Sequence, residues 1–256
     1  MKYALQLHVV REDIAADLWG TLRKIRAMGY EGVEFAGNLT RTAQEVKAAL
    51  GDTGLVCCGW HTPWHYFEPD EFFGMVSYFK VLGIEDAVVP WMAPEKFATM
   101  EDCLKIAGEM EAIAVKLADY GMYLGYHNHK QEFPRVETGE TPWDIIFENT
   151  KRLYMQMDNG NALSAGAGVD IYTPMERFAD RVRTVHLKPY SLADGYNTMV
   201  NDDNDDVDWA RFLAACGKCP DLAWYIVEYR NTEVYTPIEG VDKCLKELQY
   251  KTSSKP

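Results

Sequence analysis

Short apolar segments alternate with amphipathic, helix-like segments along the whole of this 256-residue chain. Several helix-like segments stop at a glycine, such as Gly29, Gly83 or Gly121, and the next apolar segment begins just beyond it. Apolar segments that alternate with helices in this way predict parallel strands that are buried on both faces. We count eight such strands, at residues 3–9, 32–35, 55–60, 87–90, 123–126, 154–157, 184–187 and 224–228.

Eight strand and helix units in about 250 residues match the usual size of a (β/α)8 TIM barrel. We therefore predict a single α/β domain with this barrel over residues 1–250, followed by a disordered tail at 251–256. Apolar residues at helical spacing predict two of the outer helices, at 13–28 and 100–120. An open, doubly wound sheet is the alternative, and it is weakened because no Gly-rich phosphate turn follows any predicted strand.

Charge and cysteine usage narrow the class of protein. The formal net charge is −13, from 26 Lys and Arg against 39 Asp and Glu, which disfavours nucleic acid and anionic lipid as partners and favours a small neutral substrate. No apolar run approaches the roughly 18 residues that span a bilayer, and the N-terminus lacks the features of a signal peptide. We expect a cytoplasmic protein whose six cysteines are free thiols.

Charged or imidazole side chains follow the last four predicted strands, where each strand ends. They are His127 to His129 with Glu132, then Asp158, then His186 with Lys188, and finally Glu228. In a parallel barrel these strand ends meet at one mouth, where catalytic side chains are found. A mixed shell of carboxylates and imidazoles suits Mn²⁺, Mg²⁺, Co²⁺ or Zn²⁺. The structural alternative is that Asp158 caps a loop, His186 is a core histidine and Glu228 pairs with Lys188 or Arg230.

With these segments in place, the chain resembles the xylose isomerase-like TIM barrels, a superfamily that includes sugar isomerases and epimerases, inosose-processing enzymes and AP endonucleases. The resemblance covers nearly the whole chain and rests on residues 125–133, 157–161, 185–188 and 227–229. It implies one divalent metal ion, with Mn²⁺ favoured, held at the ends of strands five to eight by Asp158, His186, Glu228 and a strand-five residue. Many members have a glutamate where this chain has His127. We predict Glu132 as the replacement ligand, with His127 as the second choice.

The resemblance also implies a reaction in which a proton is removed from a carbon next to a carbonyl, through an enediolate. His129 and Glu228 are the candidate bases, and His127 is available to return the proton. Lys188 lies one alternating position beyond His186 and either neutralises developing negative charge or forms a salt bridge to Asp158 or Glu228. The remaining candidates for substrate contact are Glu34, His61, Trp91 and Asn128, whereas His8 is interpreted as a core histidine.

The leading functional hypothesis is a metal-dependent isomerase or epimerase of a keto sugar or keto-inositol. A lyase of the same fold is the main alternative, either an inosose dehydratase or an enzyme that performs β-elimination on a 3-keto-glycoside, because a second imidazole could protonate a leaving oxygen. A non-catalytic sugar-binding protein is the weaker alternative. The acidic charge argues against the endonuclease branch. The sequence leaves open whether the chain forms a homo-oligomer or needs a partner subunit.

Overall fold

The structure is a computed structural model that describes residues 1–230 and 234–253. In this described part, eight parallel strands form a closed barrel, because each strand pairs with the next one and the last pairs with the first. The predicted (β/α)8 barrel in a single domain is therefore confirmed. The strands are β1 (Tyr3–Gln6), β2 (Gly32–Ala36), β3 (Val56–His61), β4 (Asp86–Val89), β5 (Tyr123–His127), β6 (Tyr154–Asp158), β7 (Val182–Leu187) and β8 (Trp224–Val227).

The helices surround the barrel and connect successive strands. They are α1 (Arg11–Ala16), α2 (Leu18–Met28), α3 (Ala43–Thr53), α4 (Pro69–Leu82), α5 (Met100–Ala118), α6 (Pro142–Glu148), α7 (Asn159–Leu163), α8 (Tyr172–Arg177), α9 (Trp209–Cys216) and α10 (Pro237–Ser253). Within the described residues, no helix combines the length and the apolar character that crossing a membrane requires. All six cysteines are free thiols, as predicted.

Most predicted strands are shifted by one or two residues, but the first strand is clearly shorter than predicted. It ends at Gln6 instead of residue 9, because the chain turns at once and the amide of Val10 donates to the carbonyl of Leu7 at 3.1 Å. In the other direction, β5 and β6 extend to His127 and Asp158. These two candidate ligands therefore belong to the strands themselves.

The predicted helix at 13–28 is two helices, α1 and α2, and the break lies at Asp17. The backbone of Asp17 is extended, with φ −150° and ψ 91°, and its carboxylate accepts a hydrogen bond from the amide of Gly20 at 2.8 Å. A carboxylate in this position caps the start of a helix by satisfying an amide that has no partner within the helix. The apolar spacing continues across the break, so the periodicity did not reveal it.

The predicted tail also needs correction. Helix α10 continues to Ser253, so residues 251–253 of the predicted tail are helical, and residues 254–256 of that tail lie outside the described part of the chain. Helix α5 ends at Ala118, two residues before the predicted end.

The interior of the barrel is polar above a small apolar base. Ala4, Cys58 and Ile226 form a buried apolar cluster separate from the main core. Further along the strands the buried positions carry polar side chains, which are Gln6, Glu34, His61, His127, Gln156, Thr184 and His186. Buried polar groups are retained only where they satisfy one another. The strands therefore carry a connected polar layer toward the mouth of the barrel.

Candidate metal centre and active site

Four side chains from the last four strands meet inside the mouth of the barrel. His127 and Asp158 end β5 and β6, His186 lies in β7 opposite Asp158, and Glu228 follows β8 directly. All four are buried, and one donor atom from each lies within 4.8 Å of the others. The meeting of Asp158, His186 and Glu228 that the sequence predicts is thus found, and the strand-five member of the group is His127.

Asp158 has one oxygen in use and one without a hydrogen bond. Its Oδ1 accepts from the backbone amide of Asn161 at 2.7 Å, whereas its buried Oδ2 has no hydrogen-bond partner among the described residues. That Oδ2 lies 3.8 Å from Nε2 of His127 and 3.8 Å from Nδ1 of His186. Burial raises the pKa of Asp158 to about 6, although Lys188 opposes this rise.

These distances fit a shared divalent cation. A separation of 3.8 Å is too long for a hydrogen bond, and it allows both atoms to lie about 2.0–2.2 Å from one ion. Two imidazoles and two carboxylates are a donor set that first-row divalent ions accept. A buried carboxylate oxygen without a hydrogen bond is costly even with Lys188 3.5 Å away, and a bound divalent ion would reduce that cost. The residues present therefore fit a metal ion.

The hydrogen bonds around His127 make its Nδ1 the protonated nitrogen and its Nε2 the acceptor, so an ion at Nε2 would take the place of the hydrogen bond from Asn161. The amide nitrogen of Gln156 donates to Glu34 at 2.8 Å, so the amide oxygen of Gln156 accepts from Nδ1 of His127 at 3.0 Å. On the other side, Oδ1 of Asn161 accepts from Lys188, and Nδ2 of Asn161 therefore donates to Nε2 of His127 at 3.1 Å. A histidine ligand is held in the same way, by a partner on its other ring nitrogen.

His186 lies between two carboxylates. Its Nδ1 is 2.7 Å from Glu228 and its Nε2 is 2.9 Å from Glu34. Burial lowers the pKa of His186, but these two carboxylates outweigh burial and raise the pKa to about 10. Without an ion, His186 therefore carries a positive charge that offsets part of the buried negative charge.

Lys188 and Glu228 form a buried ion pair at the rim of this group. Nζ of Lys188 donates to Glu228 at 2.7 Å and to Oδ1 of Asn161 at 2.8 Å, and it lies 3.5 Å from Oδ2 of Asp158. Lys188 thus points into the barrel as the alternation predicts, and the predicted salt bridge is present. Burial opposes ionisation of Glu228, but Lys188 and His186 hold the pKa of Glu228 well below its usual range.

Glu132 does not join the four donors. It is fully buried, but its Oε1 accepts from the hydroxyl of Tyr126 at 2.5 Å and its Oε2 accepts from the backbone amide of His129 at 2.8 Å. The neighbouring side chain of Tyr126 packs in the outer core against Trp143. This placement argues against Glu132 as a ligand and favours His127, the second choice from the sequence.

Two residues predicted to contact substrate instead form hydrogen bonds with other groups of the protein. Asn128 donates to the backbone carbonyl of Asp158 at 2.9 Å and accepts from its backbone amide at 2.7 Å, so it joins the ends of β5 and β6. Glu34 is fully buried and contacts Gln6, Gln156, His186 and His61. Asn128 positions the β6 end, and Glu34 orients His186.

The remaining predicted residues differ in their surroundings. His61 is buried beside Gln156 and stacks on His186, with ring centroids 5.2 Å apart. The ring of His129 lies 5.1 Å from that of His127, and its Nδ1 is buried without a hydrogen-bond partner among the described residues. Trp91 is 51% exposed, and His8, interpreted from sequence as a core histidine, is exposed at the mouth.

Comparison with known proteins identifies the family. The sequence profile of the xylose isomerase-like TIM barrel family matches residues 22–249, which is most of the chain. The protein belongs to this family. A comparison with curated proteins found no match.

Solved structures support the same fold for this xylose isomerase-like protein at low sequence identity. A sugar phosphate isomerase/epimerase from Parabacteroides distasonis ATCC 8503 is 18% identical with a TM-score of 0.80, over 99% of this chain and 95% of that one. The probable 3-DHS dehydratase AsbF from Bacillus anthracis is 13% identical with a TM-score of 0.67, over the full length of both chains. The IolI protein with a bound zinc atom is 15% identical with a TM-score of 0.68, over 99% and 98%.

Three residues of this xylose isomerase-like barrel that shape the site were not singled out from the sequence. Gln156 lies two residues before Asp158, so strand alternation could have placed it inside the barrel. Asn161 follows Asp158 by three residues, which is the spacing of a helix cap. Tyr196 donates its hydroxyl to Asn161 at 2.8 Å from the long segment after β7, and no local pattern signals that contact.

Proposed function

We propose that this protein is a divalent-metal-dependent isomerase or epimerase that acts on a keto sugar or keto-inositol. The observation that carries the proposal is the buried group of His127, Asp158, His186 and Glu228, in which no described residue hydrogen-bonds Oδ2 of Asp158. Buried charges are expensive and are retained where they bind ions or take part in catalysis. The sugar phosphate isomerase/epimerase with the same fold supports this reaction class.

The four donors would hold one divalent ion, and we favour Mn²⁺ among the ions that accept nitrogen and oxygen donors. When bound, such an ion supplies Lewis acidity that polarises a substrate carbonyl, which is worth several kcal/mol. The zinc atom in the IolI structure supports binding of a first-row divalent ion by this fold. Lys188 keeps Glu228 ionised, and Glu34 and Gln156 fix the orientation of the two imidazoles.

Of the two predicted bases, His129 is the one with a ring nitrogen that no described residue hydrogen-bonds. Burial lowers the pKa of His129 to about 3, so its ring is neutral, and its Nδ1 has no hydrogen-bond partner among the described residues. Glu228, the other predicted base, has one carboxylate oxygen bonded to His186 and the other to Lys188, so neither oxygen is free to accept the proton. We therefore assign proton transfer to His129 and ion binding to Glu228. Lys188 remains available to neutralise negative charge that develops on the substrate oxygen.

A lyase is the second candidate, and one observation favours it. The rings of His127 and His129 are adjacent, so a proton on His129 lies near the donors and could pass to a leaving oxygen. The dehydratase with the same fold is consistent with this outcome. In either case we expect a small carbohydrate substrate and no nucleic-acid partner, given the net charge of −13. A homo-oligomer or a completing partner subunit stays a prediction.

Two measurements test the proposed function. Titration of the purified protein with Mn²⁺ should give one bound ion per chain. If no ion binds even at a high Mn²⁺ concentration, the proposal is overturned. Incubation of keto sugars and keto-inositols with the loaded protein in D₂O should then place deuterium on the carbon next to the carbonyl. Loss of water or of an alcohol from the substrate would instead identify the lyase.

A further inference from the structure

A large cavity lies beside the four donors, on the side of the barrel where β8 meets β1. Its volume is about 810 Å³, and its wall includes Glu228 and Arg230 after β8 together with His8 after β1. The first turn of α1 forms the opposite wall, with Arg11, Glu12 and Asp13. Since Glu228 belongs to both the donor group and this wall, the cavity and the proposed ion site share one boundary.

The size of the cavity exceeds what one monosaccharide requires. Pockets of about 300–1,000 Å³ hold ligands of drug size, and this cavity lies in the upper part of that range. The donor group itself lies deeper, because its members are buried. A keto sugar whose carbonyl reaches the donors would therefore leave most of the cavity beside Glu228 unfilled.

The charges of the lining favour a neutral, hydroxyl-rich ligand. Two arginines face three carboxylates, and Arg11 lies 3.6 Å from Glu12 while Arg230 lies 3.6 Å from Glu228. Since each arginine already has a carboxylate nearby, the described residues of the wall present no excess positive charge for a phosphate. Alternating donors and acceptors of this kind suit sugar hydroxyls.

We infer that this cavity binds a second sugar unit, so that the substrate is a keto sugar joined to another sugar through a glycosidic bond. The inference rests on the proposed function, because it places the keto unit at the four donors. His8, whose backbone amide donates to the side-chain oxygen of Gln6 at 2.7 Å, lines the same cavity and contributes a further hydrogen-bonding group.

Calorimetry of sugar binding to the full chain, in the presence of saturating Mn²⁺, tests the inference. The probes are D-fructose and four disaccharides that contain a fructose unit: lactulose, palatinose, turanose and leucrose. At least one disaccharide should bind about tenfold more tightly than fructose, which is a gain that a few extra hydrogen bonds provide. Equal affinity for fructose and all four disaccharides, or no binding of any disaccharide, would overturn it.

A pair of matched variants locates the second unit. Ala16 lines the cavity at the end of α1, whereas the adjacent Ala15 is also exposed and is not among the residues that line it. Ala16→Trp should fill the cavity and remove the preference for the disaccharide while leaving fructose binding unchanged. Ala15→Trp should keep the preference. If Ala16→Trp also keeps it, the second unit does not bind here.

The ion titration separates this inference from the proposed function. A protein that binds Mn²⁺ and shows no disaccharide preference would lose only the second sugar site. The opposite outcome is also possible: the protein binds no ion but still prefers the disaccharide, and Ala16→Trp removes that preference. This result would support the second sugar site and overturn the metal-dependent reaction.

Discussion

Asp158 and Glu132 are both buried carboxylates near the end of β5 or β6, yet their surroundings give them opposite roles. Both oxygens of Glu132 accept hydrogen bonds, from Tyr126 and from the amide of His129. Asp158 keeps one oxygen without a hydrogen bond beside two histidine nitrogens. Burial raises the pKa of Glu132 to about 7, which fits a group placed away from any cation. Burial alone therefore does not identify a ligand, and the hydrogen bonds do.

The contrast predicts different effects on metal affinity. Asp158→Asn should lower the Mn²⁺ affinity by about 100-fold or more, because a neutral amide replaces a charged donor. Glu132→Gln should change the affinity by less than about threefold and serve as the matched buried control. Calorimetric titration with Mn²⁺ measures both, and thermal melts show whether the variants fold. A large loss in Glu132→Gln with normal melting would restore Glu132 as a ligand.

A second prediction for a single residue concerns His129. His129→Gln should lower kcat by about 10²–10⁴-fold, the usual contribution of a positioned acid or base, and leave Mn²⁺ affinity near its normal value. Steady-state kinetics with the substrate found by deuterium exchange measure the change. Unaltered kcat would remove His129 from proton transfer.

The sequence could place the candidate ligands on three strands but not the one on the fourth. Asp158, His186 and Glu228 stand at strand ends, where parallel topology brings side chains together. The choice between His127 and Glu132 depends on how the loop after β5 folds back. That path is decided by the long-range packing of Tyr126 against Trp143, which no local pattern encodes.

At the scale of elements, short cross-links hold neighbouring strand ends in place. Asn128 binds both backbone groups of Asp158, and Asn159 binds both backbone groups of Lys188. Helix α7 packs so closely that a Cβ on Gly160 would lie 2.6 Å from the carbonyl oxygen of Lys188. The rim from β5 to β7 is therefore tied together through backbone contacts.

We expect Asn128→Ala to destabilise the protein by about 2–4 kcal/mol, because it leaves a buried amide and a buried carbonyl of Asp158 unpaired. Asn149→Ala is the control, since Asn149 is exposed and bonds one carbonyl within α6, and it should cost about 0.5 kcal/mol. Urea unfolding followed by circular dichroism gives both values. Similar costs for the two variants would contradict a cross-link through Asn128.

Element boundaries show where sequence patterns lose resolution. The eight strands were placed by apolar runs and glycine stops, and their order around the barrel follows from parallel topology. The division of 13–28 into α1 and α2 was missed, because Asp17 interrupts the backbone without interrupting the apolar spacing. A helix cap inside a segment of continuous apolar spacing cannot be recognised from that spacing alone.

Across the whole molecule, the cysteines lie in surroundings that suppress their reactivity. Burial raises the pKa of the thiols of Cys57 and Cys244 to about 12 and that of Cys103 to about 11, and it also raises the pKa of the thiols of Cys58, Cys216 and Cys219. Only thiolates react quickly as nucleophiles, so protonated thiols are slow.

The native protein should therefore react with a thiol reagent at pH 8 at least about tenfold more slowly than the unfolded chain, since one pKa unit changes the thiolate fraction about tenfold. In guanidinium chloride all six thiols should react. Absorbance of the released reagent measures both rates. Fast reaction of several thiols in the native protein would contradict their burial.

The two ends of the chain meet at a part of the rim that supplies one donor only. β1 pairs with β8, and α1 with its break at Asp17 stands over the cavity beside Glu228, whereas His127, Asp158 and His186 come from β5 to β7. The segment 7–17 can therefore be exchanged or lengthened without moving three of the four donors. The wall of the cavity could therefore be altered in this one short segment while the candidate metal site keeps most of its donors.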